Sequence, residues 1–311
     1  MLIVAALGGN ALLKRGERLS AANQRANVHR AAAALAEIVR AGHRLVVTHG
    51  NGPQVGLLAI QAATGPADTQ YPLDVLGAES EGMIGYLIEQ ELRNALPEQK
   101  LFATLLTQSV VDAADPAFKQ PTKPIGPIYD EPKAKALAKE RGWSVAPDGM
   151  HWRRVVASPK PLAILEKEEI ALLVKEGAIV ICAGGGGIPV VQAKDGKLSG
   201  IEAVVDKDLA SALLAAALGA DKLLLLTDVD AVYAGFGSAD ARAILRTAPA
   251  LLARNSFAAG SMGPKAEAAA GFVTATGKTA AIGRLEDALA LIDARAGTQI
   301  ARETTNEVYR S

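Results

Sequence analysis

Short apolar runs of strand length alternate with longer segments of helical periodicity along the chain. Residues 3–7 form the first run, a helical segment spans 23–41, residues 44–48 form the next run, and a helix opens near Gln54. The rhythm returns farther on. Gly177 closes a helix over 167–175 ahead of a strand over 179–183, and Gly219 closes the apolar helix 209–218 ahead of a strand over 222–227. A helix over 266–272 and a strand over 279–282 continue the pattern. Strands joined by helices bury their apolar faces most economically as a parallel sheet covered on both sides, so the pattern predicts an α/β fold.

Between about 115 and 161 the rhythm lapses. Prolines stand at 116, 121, 124, 127, 132 and 147, and both tryptophans, Trp143 and Trp152, lie in this stretch. A structureless loop of that length is unusual in a compact domain, so the segment reads as a small inserted subdomain or lid with short strands of its own and a helix over 131–141. Residues 303–311 read as a polar terminal extension. The apolar start, residues 1–7, has no basic segment before it and reads as a first strand, not as a signal segment. No apolar run approaches the ~18 residues that span a bilayer, so no membrane association is expected.

Composition narrows the picture. Half of the 311 residues are apolar but only 4% are aromatic, which suits helices on a parallel sheet better than a β-sandwich. Thirty-three basic residues balance thirty-three acidic ones, so no global field recruits nucleic acid or an anionic membrane, and any cationic site is local. The single cysteine, Cys182, lies in an apolar run without a disulfide partner; it reads as a buried small hydrophobe in a cytoplasmic protein. His29, His43, His49 and His151 lack metal-ligand spacing, and His49 reads as a structural hydrogen-bonder.

Candidate chemistry lies in the loops. Leu7-Gly-Gly-Asn10 follows the first strand and Thr48-His-Gly-Asn-Gly-Pro-Gln54 the second, both at strand C-terminal ends where open parallel sheets bind ligands. The glycines let backbone N–H groups approach an anion, and Asn10 and Asn51 add neutral donors; either loop alone is also compatible with a tight βα turn. Glycines 184–187 repeat the arrangement without dinucleotide spacing. The stretch 271–279 resembles a Walker loop but has five residues between its glycines instead of four and runs into a strand, so it is excluded. Asp206-Lys207-Asp208 opens the helix 209–218: alone, this is an N-capping turn, but it also sets an ammonium beside fixed carboxylates where a helix start attracts anions. Thr227-Asp-Val-Asp-Ala-Val-Tyr233 reads as an Asp-rich turn or a nucleotide pocket, and Gly260-Ser-Met-Gly-Pro-Lys265 brings one lysine to another helix start.

Together these motifs resemble the amino acid kinase family, and within it the branch that phosphorylates carbamate, over nearly all of residues 1–300. The resemblance is carried by the two glycine loops, Asp74-Val-Leu-Gly-Ala-Glu-Ser-Glu-Gly-Met-Ile-Gly-Tyr86, Pro121-Thr-Lys-Pro-Ile-Gly126, the segment 200–211, and the turns at 227–233 and 260–265. It implies a three-layer αβα sandwich around an open, mainly parallel eight-stranded sheet. The half 1–170, with the inserted subdomain, would take the acceptor, the half 171–302 the nucleotide, and the molecule would be a homodimer. It further implies reversible transfer between ATP and carbamate, giving ADP and carbamoyl phosphate, with Mg²⁺ accompanying the nucleotide and no assigned protein ligands to the metal. Arginine or purine-derivative breakdown is the implied setting. By motif position Lys123, Lys207, Asp208 and Lys265 are catalytic. Gly8, Gly9, Asn10, Gly50, Asn51 and Gly52 bind substrate, and Thr227, Asp228, Val229, Asp230, Tyr233, Met262 and Gly263 bind nucleotide. Many members carry a lysine before the first Leu-Gly-Gly, where this chain has Ala6; in the carbamate branch the inserted subdomain supplies the charge, here through Lys123.

The chemistry explains the lysines. At ~4 Å and an effective dielectric near 20, each like-charge pair costs about 4 kcal/mol, so one ammonium cannot offset an anionic acceptor facing a polyphosphate. Three lysines and Mg²⁺ can, with Asp208 holding two lysines in register without touching substrate. A carbamate oxygen needs no general base, so direct in-line transfer suffices. Two alternatives stay open from sequence: a kinase of the same fold for glutamate, acetylglutamate or aspartate, and a non-catalytic nucleotide sensor.

Overall fold

The computed structural model describes residues 1–14, 16–66, 70–238, 240–257 and 262–310. From the N-terminus, β1 (Leu2–Leu7) passes through the short α1 (Gly9–Leu12) to α2 (Ala21–Arg40) and β2 (Arg44–His49). Next come α3 (Gly52–Ala62), α4 (Leu73–Ala95), β3 (Phe102–Thr104) and β4 (Gln108–Val111). Residues 123–156 hold β5 (Lys123–Tyr129), α5 (Glu131–Arg141), β6 (Ser144–Asp148) and β7 (His151–Val156). They are followed by β8 (Pro161–Ile164), α6 (Lys167–Lys175), β9 (Ile179–Ile181), β10 (Ile188–Gln192) and β11 (Leu198–Gly200). The second half continues with α7 (Lys207–Ala217), β12 (Lys222–Thr227), β13 (Val232–Ala234), β14 (Arg242–Thr247) and α8 (Pro249–Leu252). It closes with α9 (Met262–Thr276), β15 (Thr279–Arg284), α10 (Ala288–Ile292), β16 (Thr298–Ile300) and β17 (Val308–Tyr309).

Side-chain alternation along β1 shows why three layers form. All six of its residues are buried: Ile3, Ala5 and Leu7 pack with residues of α2, α4 and α10, while Leu2, Val4 and Ala6 pack with residues of α6, α7 and α9. A strand apolar on both faces has to lie between two helical layers. The central sheet runs β13-β14-β16-β15-β12-β1-β2-β9-β3, with β17 added beside β14. Most neighbours are parallel, including β1 with β2 and β12. Among the described residues it has ten strands where eight were expected. Its short members include the three-residue β13 and the two-residue β17 beside β14, segments too short to show a period in sequence.

Two smaller sheets surround the central one. β11-β10-β4-β8 form a four-stranded sheet that sequence patterning did not anticipate, and β5-β7-β6 form a three-stranded sheet beside α5. The α5 helix has the bounds read from sequence. Asp130 caps it by accepting the Lys133 N–H at 2.8 Å, and Gly142 ends it in the left-handed conformation at φ 66°. Its subdomain meets the body where α3 crosses β5. A Cβ on Gly56 would lie 1.9 Å from the Gly126 Cα, so this backbone approach requires glycine at 56, while Gly126 is favoured by its positive φ of 71°. Cys182 is buried in the core.

Candidate functional site

Sheet register brings the glycine loops together. Leu7 lies level with His49 on one side and with Leu226 on the other, so the loops after β1, β2 and β12 leave the sheet at one height. The Gly50 N–H donates to the Leu7 carbonyl at 3.1 Å and the Gly8 N–H to the Leu226 carbonyl at 3.0 Å. Gly8 fits tightly: a Cβ there would stand 2.8 Å from the Leu226 carbonyl oxygen. A Cβ on Gly50 would lie 3.4 Å from Lys207 Cδ and 3.6 Å from the Gly9 nitrogen, so both loops and the start of α7 share one corner. Gly9 and Gly52 are the first residues of α1 and α3. Asn10 lies in α1 with its side chain outside the described residues, as are Gly260 and Ser261.

The turn before α7 organises the charges. Asp206 caps the helix, its Oδ1 accepting the N–H groups of Asp208 at 2.9 Å and Leu209 at 3.3 Å. Its other oxygen accepts Lys123 Nζ at 2.5 Å, tying the three-stranded subdomain to this turn. Lys207 Nζ donates to Asp208 Oδ1, and Lys265 Nζ, from the first turn of α9, donates to Asp208 Oδ2 at 3.1 Å. Thr48 Oγ1 and Ser211 Oγ meet at 2.6 Å, and the Ser211 hydroxyl donates to the Lys207 carbonyl, which anchors β2 against α7. Sequence places Asp206 as a cap and as a carboxylate beside Lys207, but not its bond to Lys123, which joins residues 83 apart and which spacing does not reveal.

Burial governs the electrostatics here. It opposes ionisation of Asp208, but the ammonium groups of Lys207 and Lys265 override it and hold the carboxyl at about 2. Burial pushes Lys207 down to about 8, assisted by Lys265 and resisted by Asp208. The two directions agree physically: two ammonium groups compete for one carboxylate, which stays ionised while Lys207 gives up its proton more readily. Three ammonium groups against two carboxylates leave one net positive charge at the α7 start. Among the described residues no three His, Cys, Asp or Glu side chains gather as a metal cage, and Asp206 and Asp208 spend their oxygens on lysines and helix N–H groups.

The other sequence-derived residues are more scattered. Thr227 ends β12, and its hydroxyl donates to Asp228 at 3.2 Å. After Val229, Asp230 accepts the Tyr233 hydroxyl at 3.0 Å and the Arg310 guanidinium at 2.5 Å, so this carboxylate is engaged by the C-terminal segment. Tyr233 stands edge-on to the exposed Phe236 with ring centroids 6.3 Å apart. Met262 and Gly263 begin α9, within a turn of Lys265. The Asn51 amide donates to Ser80 Oγ at 2.8 Å and packs against Gly185, so its amide N–H serves the loop. His49 is buried; its Nδ1 meets the Gly50 carbonyl at 3.2 Å, whereas Nε2 has no hydrogen-bond partner among the described residues.

A mainly parallel sheet with lysines and glycine loops gathered at its strand ends defines a phosphotransferase of the amino acid kinase family, and the chain belongs to that family, whose model matches residues 1–283. Within it, the chain is 55% identical to the carbamate kinase of Rhizobium meliloti, covering 97% of this chain and 93% of the relative. It is 52% identical to the carbamate kinase of Haemophilus influenzae, with 99% of each chain covered. The structure of carbamate kinase from Giardia lamblia bound to AMP-PNP superposes with a TM-score of 0.87 at 40% identity, covering 97% of this chain and 98% of that one.

Proposed function

We infer that this chain is a carbamate kinase, catalysing the reversible reaction of ATP with carbamate to give ADP and carbamoyl phosphate. The observation that carries the reading is the shared carboxylate of Asp208, which brings Lys207 and Lys265 to one point beside the Lys123–Asp206 pair. In the direction of ATP synthesis, a terminal phosphate oxygen of ADP attacks phosphorus in line and the bond to the carbamate oxygen breaks. No proton has to be removed first and no phosphoenzyme forms. Lys265 meets the nucleotide phosphates, Lys207 the migrating phosphoryl group and Lys123 the carbamoyl end. The Gly9 backbone N–H, at the start of α1, takes a remaining phosphoryl oxygen, while Gly8 and Gly50, whose own N–H groups bond the Leu226 and Leu7 carbonyls, let the loops come close. Asp208 touches none of these and fixes the spacing of the two ammonium groups.

Mg²⁺ enters as part of the nucleotide substrate, held by phosphate oxygens, because the nearby carboxylates are already paired with lysines. The nucleotide lies along the segment 227–233 and the start of α9, with Tyr233 and Phe236 offering ring surface. A homodimer forms through α4 and the edge strand β3, where Met83, Tyr86 and the neighbouring Leu106 are exposed. Net ATP formation from carbamoyl phosphate in the cytoplasm is the proposed physiological direction, in keeping with the buried, unpaired thiol of Cys182. No helix among the described residues is long and apolar enough to cross a membrane.

The deciding experiment mixes purified protein, Mg²⁺, ADP and carbamoyl phosphate and follows ATP, with acetyl phosphate and N-acetylglutamyl phosphate as comparison donors. Carbamoyl phosphate should be much the fastest donor. Faster ATP formation from N-acetylglutamyl phosphate would assign a different acid, and nucleotide binding without turnover from any donor would make the chain a sensor.

A further inference from the structure

Glu81, on α4 within the Asp74–Tyr86 motif, has no part in the chemistry above, yet it is 1% exposed in the middle of the site's scaffold. Its Oε1 accepts the Gly184 N–H at 2.7 Å and its Oε2 the Thr107 N–H at 3.2 Å. Gly184 belongs to a loop that needs holding, and Thr107 stands beside it just before β4. Ala183, Gly185, Gly186 and Gly187 all take positive φ, at 49°, 66°, 93° and 86°. Thr107 Oγ1 accepts the Ala183 N–H at 2.9 Å, and Ser109 Oγ donates to the Gly186 carbonyl at 2.6 Å. The same turn of α4 reaches the second glycine loop, since Ser80 Oγ accepts the Asn51 amide.

His49 lines the same place. With its Nδ1 proton directed to the Gly50 carbonyl, its Nε2 is a bare acceptor, buried and without a donor among the described residues. Nε2 and Glu81 Cγ lie 2.6 and 2.8 Å from the point a Gly184 Cβ would occupy, so the two side chains flank the same glycine. No cation pairs with Glu81 among the described residues, while Glu166 and Cys182 face it and Lys207 faces His49. We propose that Glu81 is a positioning residue that stays protonated and, through its bonds to the Gly184 and Thr107 N–H groups, holds the 183–187 loop in register with the 48–51 loop beneath the transferring group. Burial, against the two backbone hydrogen bonds, raises the Glu81 carboxyl to about 8, and burial lowers His49 to about 4. Both groups are therefore neutral at pH 7.

This inference rests on the carbamate kinase reading only for the identity of the loops. A carboxyl raised on folding contributes stability below its unfolded value near 4.5 that is lost as pH rises through about 8. Full-length protein and Glu81→Gln, which cannot ionise, are melted at pH 6 and pH 9. The melting temperature of Glu81→Gln relative to the native protein should rise between the two, and a constant difference overturns the proposal. In ATP synthesis Glu81→Ala should raise KM for carbamoyl phosphate roughly tenfold, as expected when a buried hydrogen-bonded post is lost, with KM for ADP little changed and Glu81→Gln restoring most of it. Equal rises in both KM values would reduce Glu81 to a general stabiliser. Should Glu81→Ala fail to fold, the melts with Glu81→Gln still decide. A native protein without turnover would sink the functional reading and leave the melts unaffected.

Discussion

Asp208 carries one negative charge between two ammonium groups, and its burial makes that charge matter. In the low-dielectric start of α7 an unpaired carboxylate would cost several kcal/mol, and so would either lysine without it. Adjacency could suggest the Lys207–Asp208 pair, whereas the place of Lys265 beside Asp208 was legible only through the family resemblance. Sequence could not suggest that Asp206 holds Lys123, because a contact across 83 residues leaves no local trace. On the proposed reading Lys265→Ala removes a phosphate contact that tightens at the transition state. It should lower kcat by ~10²–10³-fold, the usual loss for one preorganised charge-stabilising donor, with an unchanged circular dichroism spectrum. Near-native turnover in a coupled ATP assay would remove Lys265 from the mechanism. Lys207 makes a second prediction, since burial sets its ammonium to titrate near 8. Its charge, and turnover with it, should fall as pH rises through that value. Its effect on stability has the opposite sign: a lysine depressed on folding destabilises below about 8, and that penalty fades as pH approaches the unfolded value near 10.5. A pH–rate profile that stays flat to pH 10 would contradict the assignment.

Helices and strands were legible where they are long and periodic. The α5 and α6 bounds match the sequence reading, and β1, β2 and β12 differ from it by a residue or less at each end. The sheet β11-β10-β4-β8 was not legible, because strands of three to five residues carry too little alternation to separate them from loops. The terminal residues expected to be a polar extension instead add β17 to β14 and bring Arg310 to Asp230, again by pairing distant in sequence. On the proposed reading α7 concentrates most of the chemistry in its first turn, and Asp206 serves that turn twice. Asp206→Ala loses the cap, worth ~1 kcal/mol, and also frees Lys123 from its anchor. An unfolding free energy lowered by that amount in denaturant melts, together with a raised KM for carbamoyl phosphate, is expected. A stability loss with unchanged KM would show that the Lys123 contact has no part in binding.

At the scale of the molecule, two bodies must agree on one point, because Lys123 belongs to the three-stranded subdomain while Lys207 and Lys265 belong to the main sheet's helices. Their relative position is set where α3 crosses β5, with Gly56 and Gly126 in backbone contact and Gly126 at φ 71°. Gly56→Ala tests whether that position matters without deleting anything. The new methyl would fall 1.9 Å from a backbone atom, not on a side chain that can rotate away, so β5 has to move off α3. Lys123 is three residues from Gly126 on the same strand and moves with it. The core that packs α7 and α9 is a separate cluster from the one at this crossing. Displacement of the subdomain should therefore raise KM for carbamoyl phosphate while KM for ADP stays close to native, and a second substitution, Lys123→Ala, should add little to the defect because both changes remove the same contact. Independent, additive losses would mean that the subdomain contributes through some group other than Lys123. An unchanged KM in Gly56→Ala alone would mean that carbamoyl phosphate binding does not require the subdomain to be held against α3.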